Sequence, residues 1–194
     1  FGLGPIGLFL TLIARDMGAK AIIGVEPNPV SIDMAKKLGI DYVIPLRSQT
    51  YTRRGSQTST DNKHNNDITE EIIRITNGLG VDVSFEMAGF NSSFNNALFA
   101  TRRGGDVIAF GIKAGDFVLE DFNRFIVRGL TVHAVIGRRL PETWEMTQKL
   151  FADPTNKIQE NIWNVILNKG EGTILPLREY TKERFEEMMA KHPK

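Results

Sequence analysis

Phe1-Gly2-Leu3-Gly4-Pro5-Ile6-Gly7 opens the chain, and an apolar run, Leu8-Phe9-Leu10-Thr11-Leu12-Ile13-Ala14, follows it directly. Gly2, Gly4 and Gly7 fit G-x-G-x-x-G at the start of a helix, the dinucleotide-binding fingerprint. The spacing has a mechanical reason. The first glycine makes a tight turn, the second lets backbone approach a pyrophosphate, and the third allows close helix–strand packing. Pro5 suits the first helical turn, where its missing N–H costs nothing. Amides left over at that helix N-terminus complement phosphate charge. Ala21-Ile22-Ile23-Gly24-Val25 then reads as a short strand, and Glu26 ends it nineteen positions after Gly7. An acid at about that distance binds the adenosine ribose 2′-hydroxyl. Loop, helix, strand and acid in this order predict dinucleotide binding.

The fingerprint should follow a strand, and only Phe1 precedes it. In a doubly wound sheet that first strand is the central one. With no initiator Met either, the chain reads as the downstream piece of a longer protein. We expect the central strand to be supplied by upstream residues or by another chain, and residues 1–194 alone not to fold stably as a monomer.

Composition bounds the remaining possibilities. The chain has 194 residues, 41% hydrophobic and 24% charged, which suits one sizeable globular core. A net charge of +1 gives no argument for nucleic acid as a partner. No apolar run reaches the ~18 residues of a membrane span, so no membrane partner is expected and a cytoplasmic location is. The chain has no cysteine, and His64, His133 and His192 lack ligand spacing. We therefore expect no metal site within it.

Outward from the fingerprint, periodicity predicts a first helix with Ile6, Phe9, Leu10, Ile13 and Met17 as its core stripe. A second follows Pro27-Asn28-Pro29, with Ile32, Ala35 and Leu38 inward, and Tyr42-Val43-Ile44 is a strand. Residues 45–67 are a polar insertion containing Arg53, Arg54, Lys63 and His64. Its composition suits a solvated, mobile loop; a basic loop contacting phosphate or a neighbouring subunit is the other reading. Asp67-Ile68-Thr69-Glu70 resembles a capping box that starts a helix. Then come a strand over 81–86, a helix over 91–102, a turn at Gly104-Gly105, a strand over 107–110, a short helix over 121–128 and a strand over 130–136. Strands alternating with helices at this rhythm specify an α/β fold, a doubly wound parallel sheet of Rossmann type. Helices are expected over 141–151, 158–167 and 182–191, with an extended segment at 174–177. Trp144 and Trp163 read as core residues and His133 as a structural or edge residue. Arg138-Arg139 follows the last strand, where a pyrophosphate contact and a solvated pair are both open. We divide the chain into a dinucleotide-binding domain over 1–140, with its insertion, and a helical segment over 141–194.

The stretches GLGPIG (2–7), VEPNP (25–29), GVDVSFEMAG (80–89), RRGGDVIAFGI (102–112) and FIVRGLTVHAVIGRRLPETW (125–144) occur in this order. Together they resemble the cofactor domain of the zinc-dependent medium-chain dehydrogenases. Glu86-Met87-Ala88-Gly89, Gly137-Arg138 and Glu142-Thr143-Trp144 resemble the threonine dehydrogenase-like branch. The likeness covers residues 1–152 strongly and 174–190 weakly. It implies an NAD-dependent, zinc-type dehydrogenase that transfers a hydride from a small alcohol. It also implies cofactor contacts at Gly2, Gly4, Pro5, Ile6 (under the pyrophosphate), Gly7 and Glu26. Phe110, Gly111 and Ile112 match the segment on the nicotinamide side, as do Val135 and Ile136. The family often has an arginine five positions after the ribose acid; here that position is Ser31. Glu86 is common at its place in the family, but no mechanism follows from it.

In the family, zinc sits in a separate N-terminal GroES-like domain, held by Cys, His and Glu, and none of that domain is expected in this chain. The resemblance therefore implies no catalytic residue here and no activity for the chain alone. The segment at 174–177 and the last helix would return to pack on that domain. Family members commonly pair through the last strand, and the apolar edge 131–136 suits a homodimer or homotetramer. Three other readings share the glycine loop: a zinc-free quinone-reductase-like member using NADPH, an S-adenosylmethionine-dependent methyltransferase, and a non-catalytic nucleotide-binding module. Glu26, with no arginine beside it, opposes a 2′-phosphate and so the first of these.

Overall fold

Helix and strand alternate from the first glycine turn onward in the structure, a computed structural model that describes residues 1–46, 61–113 and 115–191, with 61–66 and 191 by backbone alone. In order the elements are α1 (Pro5–Asp16), β1 (Ile23–Glu26), α2 (Pro29–Lys37), β2 (Tyr42–Pro45), α3 (Asp61–Ile75), β3 (Val81–Glu86), α4 (Asn91–Ala100), β4 (Thr101–Ala109), α5 (Phe122–Arg128), β5 (Thr131–Ala134), α6 (Glu142–Ala152), α7 (Ile158–Asn161) and α8 (Lys182–Lys191). Every strand pairing among the described residues is parallel, as the βα rhythm requires. The chain divides into two compact units, Phe1–Gly2 with Leu46–Ile136, and Leu3–Pro45 with Gly137–Lys194.

In the second unit β1 pairs with β2, from Ile23 opposite Tyr42 to Glu26 opposite Pro45. The buried positions of α1 are Gly7, Leu8, Thr11 and Leu12. The expected stripe was displaced: Ile6, Phe9 and Met17 are exposed. A count of apolar residues misses a face that contains a glycine and a threonine. Thr11 is at home there because its hydroxyl donates to the Gly7 carbonyl at 2.9 Å. On α2, Ser31 and Ala35 are buried, and Leu38 just beyond it.

The core gathers Leu3, Leu8, Leu12, Ala35, Leu38, Ile40 and Ile158. Leu150, Ile162, Val165 and Ile166 pack against it. Each full burial of such a side chain is worth about 1.5–3 kcal/mol. The helical tail is thus fastened to the first two βα elements. The expected helix over 158–167 holds its inward face but widens to a π turn at Ile162–Ile166, closed by Leu167 N–H on Ile162 O at 2.8 Å. No strand forms at 174–177. Leu177–Glu179 is instead a 3-10 turn, as suits a segment in which Pro176 removes a ladder donor. Trp144 and Trp163 are exposed rather than core, at 60% and 47%. Helical spacing among apolar neighbours cannot distinguish the inner from the outer side of an amphipathic face.

In the first unit β3, β4 and β5 lie in that order. Val81 faces Thr101 but Val83 faces Asp106, so β4 carries extra residues across one step of β3. The expected turn at Gly104-Gly105 is this irregularity inside a strand. Gly105 fits because a Cβ there would lie 2.7 Å from the Asp82 carbonyl. Away from β4, the Phe1 terminal amine donates to Phe85 O at 2.7 Å and Phe1 O accepts Met87 N–H at 2.9 Å. This is the bonding of a parallel bridge with Glu86 at its centre.

The core here is Ala97, Leu98, Phe99 and Val107, flanked by Phe1, Phe94, Leu119, Phe125 and Leu130. Ile68 and Ile72 of α3 are buried, and Thr69 donates to Asn96 of α4 at 3.1 Å. Helix α3 starts at Asp61, so Asp67 lies within it and is not its cap. The stretch Asn62-Lys63-His64-Asn65-Asn66 carries no apolar period and reads as loop. The rest of the expected insertion, 47–60 with Arg53 and Arg54, lies outside the described residues, and so does its expected mobility.

Candidate functional site

The second unit carries Gly4, Pro5, Ile6, Gly7 and Glu26 of the predicted contacts. Gly4 is the N-cap of α1, extended at ψ −172°, and its carbonyl accepts Leu8 N–H at 3.0 Å. Pro5 fills the first turn, which contains no acidic side chain, so the amides of Ile6 and Gly7 open a twelve-residue helix in a setting favourable to an anion. Glu26, at the end of β1, is only 8% exposed. Its Oε2 accepts Leu3 N–H at 2.7 Å and its Oε1 accepts Asn28 N–H at 2.9 Å. The acid therefore ties the glycine turn to the turn that starts α2. Each oxygen has acceptor capacity left for a hydroxyl. Asn28 in turn caps α2, its Oδ1 accepting Val30 N–H at 2.8 Å.

Ser31, at the position where the resembled family often has an arginine, is buried, and its Oγ has no hydrogen-bond partner among the described residues. No cationic side chain replaces that arginine within the first turn of α2, since Val30 and Ile32 flank Ser31. Arg138 sits over the Trp144 ring, 5.9 Å from its centroid, which gives that guanidinium a partner other than phosphate.

The first unit carries the remaining positions. Gly2 adopts φ +90°, and a Cβ there would lie 3.2 Å from Ala88 N, so both conformation and space favour glycine. Phe110 and Gly111 follow β4, and their N–H groups donate to the Glu86 carbonyl at 2.9 and 2.8 Å. Val135 follows β5, its N–H donating to Ala109 O at 3.0 Å. Ile112 and Ile136 are each 91% exposed, beyond the carboxyl ends of adjacent strands. Crevices outside the carboxyl ends of parallel strands are where such folds bind ligands.

Sequence reasoning missed the group that organises this end. Glu86 is 1% exposed, and its Oε1 accepts Ala88 N–H, Gly89 N–H and the Ser93 hydroxyl at 2.9, 2.8 and 2.6 Å. A Cβ on Gly111 would come within 2.6 Å of Glu86 Oε2 and 2.4 Å of Gly89 N. The carboxylate thus braces the turn against which 110–112 is laid. The signal was an acid ending a strand just before a glycine turn and a serine in the next helix. His133, exposed on β5, pairs with Asp106 at 2.8 Å, an edge contact.

Zinc finds no fit in these residues. The chain has no cysteine, and among the described residues no three His, Asp or Glu come together as a ligand set. No helix among them is long and apolar enough to cross a membrane.

The family description "Zinc-binding dehydrogenase" matches residues 5–153. The chain belongs to that family. Among curated relatives, it is similar to L-threonine 3-dehydrogenase of Pyrococcus horikoshii, 32% identical over 150 residues that cover 77% of this chain and 38% of the relative. It is similar also to L-threonine 3-dehydrogenase of Pyrococcus furiosus, 32% identical, covering 88% of this chain and 43% of the relative. Among solved structures, alcohol dehydrogenase from Thermotoga maritima superposes with a TM-score of 0.68 at 21% identity, covering 98% of this chain and 46% of that one. 2R,3R-butanediol dehydrogenase from Bacillus subtilis superposes at 0.62 and 23% identity, covering 87% and 47%. These likenesses establish the Rossmann-type α/β fold of this dehydrogenase family. The chain spans less than half the length of the relatives it matches.

Proposed function

We propose that residues 1–140 of this zinc-binding dehydrogenase bind NAD, and that the whole protein transfers a hydride from a small alcohol, with a secondary alcohol of the threonine type as the substrate class. The observation that carries this reading is Glu26, a carboxylate at the end of β1 hydrogen-bonded to the glycine turn. The amides of Ile6 and Gly7 would receive the pyrophosphate. The remaining acceptor capacity of Glu26 would take the ribose hydroxyls, while its negative charge would repel a 2′-phosphate. Gly2, Gly4 and Gly7 would admit backbone close to the ligand, with Pro5 fixing the start of α1. Phe110, Gly111, Ile112, Val135 and Ile136 would line the nicotinamide side, Gly111 resting on the turn that Glu86 braces. When bound, NAD supplies the hydride acceptor.

With this reading go a cytoplasmic location, zinc held by residues other than these, and a helical segment 141–194 that returns towards the domain holding it. Assembly through 131–136 belongs to it as well. Strand β5 is the outer strand of its sheet, exposed along its whole length, and pairs with β4 alone among the described residues. Titration of the intact protein with NADH and NADPH, followed by fluorescence, tests the cofactor. NADH should bind more tightly; equal or tighter NADPH binding overturns the reading. Light scattering should give a dimer or tetramer, and a monomer at working concentration refutes the pairing through β5.

A further inference from the structure

At the start of β4, away from the strand ends discussed above, the first unit collects positive charge. Arg102 is paired there with Asp82, Nε to Oδ1 at 2.6 Å, and Asp106 with His133 at 2.8 Å. Arg103, Arg124 and Arg128 have no carboxylate partner among the described residues. The nearest acid in sequence to Arg124 is Asp121, and its Oδ1 accepts the Arg124 backbone amide at 3.1 Å rather than the guanidinium. Arg124 and Arg128 lie one turn apart on α5 and so share a face.

Two of the three guanidiniums are already positioned. Arg124 sits over the Phe99 ring, 4.5 Å from its centroid, and Arg128 donates through Nη1 to the Thr101 carbonyl. Phe99 and Thr101 are two residues apart at the junction of α4 and β4, and Arg103 follows two residues later on β4 itself. Arg128 is held below the usual guanidinium range, by burial first and then by the charges of Arg124 and Arg103. Like charges gathered in one place with no counter-charge raise the energy of the folded chain, and an anion would relieve it.

We propose that Arg103, Arg124 and Arg128 form a binding site for a dianionic phosphate group, either free or carried on a small molecule. A guanidinium presents five donors in a planar fork that matches phosphate oxygens two at a time. Stacking on Phe99 and the bond to Thr101 order two of these forks before the anion arrives, which lowers the entropy cost of binding. Within the first unit the site is separate from the proposed contacts at 110–112, because β4 from Asp106 to Ala109 alone spans about 10 Å.

The test is calorimetric titration of the intact protein, at constant ionic strength in chloride, with inorganic phosphate and separately with glycerol phosphate. Saturable binding of one equivalent is expected. Arg103→Gln and Arg124→Gln should each weaken it by about tenfold or more, the loss of one charged hydrogen-bonding group. Lys20→Gln, an exposed charge in the other unit, should change nothing, and NADH affinity should be the same in all four proteins. Because Arg103 is exposed, its variant should melt at or above the wild-type temperature in low salt without phosphate. The stronger of the two titrants identifies the source of the phosphate. Non-saturable heats overturn the proposal, as do equal phosphate affinity in Arg103→Gln, or phosphate binding that is lost with excess NADH but unaffected by the arginine changes. Binding of an acidic peptide where neither phosphate binds would overturn it too.

Discussion

The Leu3 amide donates to the Glu26 carboxylate at 2.7 Å across twenty-three positions of sequence, and so holds the first glycine turn to the end of the next strand. The second oxygen of the same acid takes the Asn28 amide. Glu26→Gln leaves one acceptor oxygen for two inward-pointing N–H groups and turns an amide NH2 towards one of them. We expect a loss of about 1–3 kcal/mol, read as a lower urea midpoint at unchanged slope. Weaker NADH binding should accompany it, and unchanged stability would show that these bonds contribute nothing net.

Glu86 separates charge from shape. Oε1 accepts all three of its turn contacts, from Ala88, Gly89 and Ser93. Glu86→Gln can keep that oxygen in place and should cost about 1 kcal/mol, whereas Glu86→Ala leaves three part-buried donors without their acceptor and should cost more, about 2–3 kcal/mol. Thermal melts of the two variants, compared side by side, check the order. Equal losses would mean that the charge itself, not the acceptor, holds the turn.

Gly111→Ala places a Cβ 2.4 Å from Gly89 N, a backbone atom that cannot swing away. Overpacking of this kind costs about 1–3 kcal/mol. Because the strain falls on the 110–112 segment, NADH affinity should fall more than stability alone would cause. Titration at a temperature where the variant is fully folded isolates that effect.

Ser31→Ala should be neutral or stabilising by up to about 1 kcal/mol, since the buried Oγ has no hydrogen bond to lose among the described residues. A clear destabilisation in denaturant melts would reveal a partner for that hydroxyl in solution.

Asp41 gives an acid-sensitive tie between α1 and the start of β1. Burial raises its pKa, but the Ile22 amide at 2.7 Å and the Arg15 guanidinium outweigh that and hold it below the ordinary value of 3.8. A carboxyl lowered on folding contributes stability above its unfolded pKa and loses it as pH falls through the folded one. Stability should therefore decline below about pH 4 more steeply in the wild type than in Asp41→Asn. Parallel pH profiles would sink this.

Among the described residues, β1, β2, β3 and β5 were legible in the sequence because β-branched runs and the glycines between them state their own period, whereas β4 was legible only from Val107, its start at Thr101 having read as helix and turn. The acid at Glu26 was legible for the same local reason. What failed was anything decided by contacts between distant residues. The inner face of α1 includes Gly7 and Thr11, and only the packed neighbour shows why a glycine and a self-satisfied hydroxyl belong there. The first turns of α3 are polar, so no apolar period announces them. The outward position of Trp144 is likewise invisible to spacing. Glu86 could be noticed but not interpreted, because its partners become neighbours only once the turn at Ala88-Gly89 has folded back.

The division of the chain also sets a timetable for synthesis. Leu46–Ile136 is nearly a whole unit in one continuous stretch, able to condense as soon as it has emerged. The unit built on α1 and β1 is not: the cluster of Leu3, Leu8 and Leu12 is completed by Ile158, with Leu150 and Ile162 packed against it, all made more than a hundred residues later. At roughly 5–20 residues per second, those leucines wait several seconds or longer for their cover. During that interval the nascent chain presents an apolar helix covered only by Ala35, Leu38 and Ile40, a period in which a holding chaperone at the tunnel exit would decide its yield.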